Sequence, residues 1–429
     1  MRMRDVARLG WVILIVGLSG LSTAWAKPGE IGKFAFLNGD VKLWLSGEYR
    51  ARMELMQGRD FKAPDKAAGT PEDRLFVVHR ARLEVGALLW SRVEIMMQFQ
   101  DVRLWGQEAD TLADFQAKGF DLHQGWARFL FTDELSLKVG RMEIAYDNER
   151  ILGAVDWTQQ ARSFDGVLLA WEPSFMQLHA FYAAIAQKDT LLSASQMTGA
   201  WAKVRKWKFF QPSLLYVFDF NTETERYRHT IGTHITGAVA GFSYTGEFYY
   251  QTGTQKTPTE TQQIQSYLGA LSLGYQIPVP TKPTIRVWAD FVSGDDNPTD
   301  SVYRSFDTLF ATNHKFYGFA DIFLNLPVHT KQRGLMDLGA SVGFSPFQGF
   351  GLTVWYHYFR LFHGAPDANQ QMQQELASEI DVVASYTFLN GHAYISTGYS
   401  IVLPTAGAAV IGKGNQPEHW FFVECRTKF

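Results

Sequence analysis

The chain has 429 residues, 15% of them aromatic, a formal net charge of −3 and a single cysteine, Cys425. One cysteine excludes an internal disulfide framework, and mild acidity without a basic block excludes a nucleic-acid partner held by phosphate neutralisation. Beyond Leu21 no apolar run approaches the roughly 20 residues of a spanning helix, so the abundant aromatics point to a β-rich chain with apolar residues spread one in two.

In chain order, Arg2, Arg4 and Arg8 precede an apolar run from Leu9 to Leu21, and Ala24-Trp25-Ala26 follows as a small-residue cleavage site. This is the pattern of a signal peptide over residues 1–26, with a mature chain from Lys27 to Phe429. Val41 to Glu54 then sorts into two faces. Val41, Leu43, Leu45, Gly47, Tyr49, Ala51 and Met53 lie on one, and Lys42, Trp44, Ser46, Glu48, Arg50, Arg52 and Glu54 on the other. A helix would scatter these charges around its circumference, whereas a strand separates them.

The same alternation predicts about 18 strands. They lie near 41–54, 75–89, 92–103, 121–131, 135–146, 163–172, 175–186, 196–206 and 209–220, then 228–237, 239–253, 264–276, 283–293, 335–345, 350–361, 376–389, 391–402 and 417–429. Tight turns are expected at Trp90-Ser91, Thr132–Glu134, Pro173-Ser174, Pro346–Gly349 and Asn390-Gly391. Longer polar inserts are expected at Gln57–Arg74, Gly106–Phe120, Asp147–Arg162, Gln255–Gln263, Gly294–Arg333 and Gly364–Glu375. Short turns at one end and long loops at the other suit an antiparallel up-and-down transmembrane β-barrel, here a single unit over 27–429, with an even strand count bringing both termini to the periplasmic side. The last strand alternates Phe421, Val423, Cys425 and Thr427 with Glu424, Arg426 and Lys428, and ends on Phe429. Such a strand is the expected closing element of a bacterial outer-membrane barrel. Trp44, Trp90, Trp126, Trp171, Tyr386 and Trp420 are candidates for the interfacial aromatic belts or, for some of them, for filling the lumen.

A set of short motifs carries a family resemblance. Gln100–Gly106, Asp121–Gln124, Val139–Arg141, Asp147–Gly153, Asp156-Trp157 and Arg162–Gly166 occur in order, followed by Ser293–Pro298, Phe306-Asp307, His314–Gly318 and Asp321. Together they resemble the alginate-export family of outer-membrane barrels. The resemblance implies an 18-stranded pore lined by arginines, which can offer carboxylates bidentate partners. The inward-facing candidates are Arg50, Arg52, Arg80, Arg82, Arg128, Arg141, Arg286 and Arg426, with Lys138 and Lys203, and with Asp290 among the lining acids. Inward faces also carry Glu48, Glu54, Glu84, Glu94, Asp165, Glu247, Asp337, Glu379, Asp381 and Glu424, so acid about equals base and ion-paired wall residues are expected beside any arginine ladder.

The expected function is an outer-membrane channel for polar or anionic solutes, with polysaccharide export implied by the resemblance. The alternatives are a general uptake porin and a structural barrel with a closed lumen. The insert Gly294–Arg333 is the expected constriction, with His314, Tyr317 and Asp321 packing or gating it. Asp295 and Asp296 give a weak calcium pattern that lacks the glycine and terminal glutamate of an EF-hand. No cofactor, nucleophile–base constellation or metal cluster is indicated. The partners expected are membrane lipid, lipopolysaccharide, the barrel assembly machinery and polysaccharide secretion components.

Overall fold

A computed structural model describes residues 31–36, 40–58, 73–107, 119–186 and 195–429. The leader expected over 1–26 lies outside the described residues, as do the middles of the first two long inserts. In chain order the strands are β1 (Ile31–Phe36), β2 (Val41–Gln57), β3 (Arg74–Leu89), β4 (Val93–Leu104), β5 (Phe120–Leu130), β6 (Leu135–Met142) and β7 (Phe164–Trp171). They continue as β8 (Met176–Ala186), β9 (Ser195–Val204), β10 (Gln211–Asn221), β11 (Arg226–Val239), β12 (Phe242–Lys256), β13 (Thr261–Gln276) and β14 (Thr284–Val292). The last are β15 (Val302–Tyr303), β16 (Leu335–Phe344), β17 (Phe350–Pro366), β18 (Met372–Phe388), β19 (Ala393–Pro404) and β20 (Glu418–Lys428).

Setting aside the short β1 and β15, 18 strands pair antiparallel with their sequence neighbours, and β20 returns to β2 to close the barrel. Closure leaves no long unpaired edge, which is the condition for strands to stand in lipid. Leu83, Val85, Ile95, Met97, Leu271, Leu273, Ile285 and Val287 are exposed on the outer face, while Arg50, Arg80 and Arg426 are brought side by side inside by the pairings of β2 with β3 and β20.

All 18 predicted segments coincide with strands. Differences concentrate at the ends away from the termini. The inserts expected at Gln255–Gln263 and Gly364–Glu375 are mostly strand, with β12 and β13 running to Lys256 and from Thr261, and β17 and β18 to Pro366 and from Met372. Above the lipid both faces meet water, so polar residues continue a strand without alternating. The strand expected to reach 146 stops at Met142, because the chain turns into the lumen through left-handed Asp147 and Glu149. Trp44, Trp126 and Trp420 also point inward rather than into a belt: Trp44 donates to Glu84, Lys138 lies over Trp126, and Trp420 donates to Glu54.

At the seam, β2 has two partners along one edge. Glu48–Gln57 pairs with β20, and Val41–Leu45 pairs with β1. Between them Gly47 and Phe429 exchange two backbone hydrogen bonds of 3.0 Å. A Cβ on Gly47 would meet the Phe429 ring at 2.3 Å, so glycine lets the terminal aromatic lie flat over the β2 backbone and a larger residue would turn it aside.

A loop-filled, charge-lined lumen

Two segments fold into the barrel: residues 143–163 between β6 and β7, and 293–334 between β14 and β16. The first crosses the bore and is held at three places. Near its start Tyr146 stacks on Trp201 at 4.7 Å, and Asp147 accepts from Trp201 Nε1 (2.9 Å), Ser213 Oγ (2.7 Å) and Lys203 Nζ (3.3 Å). In mid-lumen Arg150 donates to Asp290 (2.6 Å), Glu247 (3.3 Å) and the Tyr317 hydroxyl (3.3 Å), with the Phe316 ring 3.6 Å from its guanidinium carbon. Burial disfavours the Arg150 cation, but Asp290 and Glu247 outweigh it and hold the group charged.

The third anchor is the β2–β3 wall. Arg50 donates to Gln159 Oε1 (2.9 Å) and to the carbonyls of Asp156 (2.7 Å) and Thr158 (2.8 Å); Arg52 donates to the Trp157 carbonyl (2.8 Å). Arg80 and Arg82 approach the Asp156 carboxylate at 2.9 and 3.4 Å. Burial pushes the Asp156 carboxyl up, yet Arg80, Arg50 and Arg82 outweigh it and hold it below the usual carboxylate range.

The second segment is strapped to the first. Leu152 and Phe310 form a parallel bridge, Gly153 N–H and Phe310 N–H each donate across it at 2.9 and 3.0 Å, and Thr312 Oγ donates to Glu149. Phe306, Ile322, Phe323 and Leu326 pack in one buried cluster with wall residues Leu335, Phe359 and Leu361. His314 pairs with Asp321 at 2.6 Å and stacks on Trp157 with centroids 4.2 Å apart, while Arg52 lies over the same indole at 3.9 Å. Tyr317 is buried, which raises its hydroxyl pKa despite Arg150 alongside.

The residues singled out in the sequence therefore divide. Arg50, Arg52, Arg80 and Arg82 converge, but on the first inserted segment; Arg50 and Arg80 are 0% exposed. Arg128 pairs with Glu94, Arg141 with Asp165 at 2.9 Å, and Asp290 with Arg150. Arg286 donates to Ser272 Oγ at 3.0 Å and has no ion pair among the described residues. His314, Tyr317 and Asp321 all sit on the second segment. Asp295 accepts from the Asn297 N–H at 3.1 Å, and among the described residues no three acidic, histidine or cysteine side chains converge to hold a metal. The sequence reading passed over Arg150, Asp147 and Gln159. They lie within or beside the quoted Asp147–Gly153 and Asp156-Trp157 motifs, but an inserted loop has no periodicity to say which side chains reach a wall.

Cavities flank the inserted segments at both ends. At the end carrying the termini, a vestibule of about 690 Å³ is lined by Trp157, Trp288, Trp355, Phe316 and Phe319 with Arg286 and Arg426. At the other end a cavity of about 480 Å³ is lined by Arg226, Arg228, Tyr303, Asn325, Lys331 and neighbours, and the two share no lining residue.

The family described as "Alginate export" matches residues 41–423. No curated protein sequence matches the chain. Among solved structures, Pseudomonas aeruginosa OpdL is similar at 12% identity and a TM-score of 0.60, covering 90% of this chain and 99% of that one. Acinetobacter baumannii OccAB4 gives 14% identity and 0.57, covering 90% and 98%. Pseudomonas aeruginosa OpdK, solved with vanillate, gives 12% and 0.56 over the same shares. At these identities the likeness is one of fold.

Proposed function

From the premise that this chain belongs to the alginate-export family and is an outer-membrane β-barrel channel, we propose that it passes small polar or anionic solutes passively, with the vestibule as their binding place. Its outer face meets lipid and lipopolysaccharide; assembly machinery and secretion components remain partners of the same proposal. The observation that carries it is Arg286. It is the one arginine of the expected lining set with no acidic or loop-backbone partner among the described residues, and it stands beside Trp288 on a vestibule walled by aromatics. A free guanidinium binds a carboxylate, and indole faces take the apolar or ring face of the same solute.

A polyanion would need a continuous row of free cations. Arg50, Arg52, Arg80 and Arg82 are committed to the inserted segment, which favours a solute of one or two rings over a long chain. Block of single-channel current in planar bilayers tests this. Anionic ring solutes should block more strongly than neutral ones of equal size, and Arg286→Glu should weaken that block about tenfold, the worth of roughly 1.4 kcal/mol. Equal block by both classes would sink the anion preference. The second reading, a structural barrel with a closed lumen, is supported by the apolar cluster in mid-bore; a channel silent at every voltage and pH would favour it.

A further inference from the structure

Round the wall from the arginines, beyond β20 and β19, the lumen carries a compact row of acids. Asp290 on β14, Asp337 on β16, and Glu379 and Asp381 on β18 are all buried, with Asp337, Glu379 and Asp381 at 0% exposure. Their cations are few. Arg150 takes Asp290 at 2.6 Å, and His357 on β17 takes Asp337 at 2.9 Å while its other nitrogen stays 3.8 Å from Asp381. From the inserted segment Asp321 also faces the row, but it is matched by His314. The neighbouring strand β19 contributes only the Ser400 hydroxyl. Glu379 and Asp381, two residues apart on one strand face, thus share no cation closer than that distant His357 nitrogen. Among the described residues the donors that reach the pair are uncharged: the Ala320 N–H at Glu379, and the Ser400 hydroxyl and Phe319 N–H at Asp381.

What covers this pair is the tip of the second segment, residues 315–321. Ala320 N–H donates to Glu379 Oε1 at 2.8 Å, and Gly318 lies so close that a Cβ would meet the Glu379 carboxyl at 2.4 Å. Gly318 and Asp321 both have left-handed backbone, with φ of 81° and 60°, and bracket the tip. Lys315, Phe316, Gly318 and Phe319 line the vestibule, so displacing the tip enlarges it towards mid-bore. The flanking stretches, including Phe306 and Phe323, stay fixed in the apolar cluster.

We propose that Glu379 and Asp381 form a proton-operated latch: protonated, they hold the 315–321 tip against the wall, and on losing protons they release it, so that it withdraws from the vestibule and widens the pore. Two adjacent carboxylates taken out of water without a cation favour their neutral forms, whereas in a water-filled lumen both ionise. Proton release therefore accompanies tip withdrawal, and raising the pH opens the channel. The Ala320 N–H favours the ionised carboxylate and so acts against this direction, but it is a single neutral donor set against burial and the facing Asp381 carboxylate.

The inference rests on the channel reading only for its electrical readout, and a second readout separates the two. In lipid nanodiscs, hydrogen exchange of residues 315–321, corrected for intrinsic rates, should be about tenfold faster at about pH 8 than at about pH 5.5, while 322–326 stays protected. Conductance of the wild type should rise over the same interval. The Glu379→Gln/Asp381→Asn double variant should stay in the protected, low-conductance state at both pH values. Equal corrected exchange at both pH values in the wild type, or an unaltered pH response in the double variant, overturns the latch. A pH-dependent tip in a barrel without conductance upholds the latch and overturns the channel.

Discussion

At the scale of single residues, Arg150 decides how the lumen is filled. It lies at the meeting of both inserted segments and the β12–β14 wall, and among the described residues it is the only cation within ion-pair distance of both Glu247 and Asp290. Arg150→Ala leaves two buried carboxylates without it and should cost about 3 kcal/mol, read as a lower urea midpoint of the detergent-solubilised barrel together with a larger unitary conductance. Asp156 behaves differently. Its folded pKa lies below the ordinary value of 3.8, so its contribution is complete above that value and is lost as pH falls through the lowered pKa. Its side chain is 49% exposed, and water screening limits the pair to below about 1 kcal/mol. Acid titration of the urea midpoint should show a loss below about pH 3.8 that Asp156→Asn abolishes; a loss beginning nearer pH 6 would assign it to other groups.

At the scale of elements, strands were legible and inserted segments were not, for one physical reason. A wall strand meets lipid on one side and water or packed loop on the other, which imposes the two-residue period seen from Val41 to Glu54. Residues 143–163 and 293–334 meet protein on several sides at once, so Arg150, Asp147 and Gln159 carried no positional signal. The acid–base balance of the inward faces was visible beforehand, and the pairs Arg128–Glu94 and Arg141–Asp165 follow it. What it could not reveal is that Arg50, Arg52, Arg80 and Arg82, beside wall partners such as Glu54, Glu48 and Gln100, each also donate to a loop carbonyl or to Asp156. The strand β1 went unpredicted because its partner, the lower edge of β2, is exposed only by the place where β20 ends. Removing residues up to Phe36 should strip that edge, lowering the unfolding temperature in detergent by a few degrees while leaving unitary conductance unchanged. A change in conductance instead would mean that β1 shapes the bore.

At the scale of the whole molecule, the barrel is a container whose contents come from its own chain. Charge pairs hold the first segment to the walls, apolar packing holds the second, and the Leu152–Phe310 bridge ties one to the other. The bridge has a consequence for how the protein is made. Arg50 and Gln159 are 109 residues apart in sequence, Arg150 and Asp290 are 140 apart, and Leu152 and Phe310 belong to different hairpins. Neither segment has all its partners until strands from both ends of the chain stand around it, and the β2–β20 pairs that close the wall are farther apart in sequence than any of these contacts. Filling and closure are therefore coupled: Trp157 of the first segment packs on Trp420 and Phe422 of β20, so a chain cut short before that strand lacks both the seal of its wall and part of the seat of its own plug.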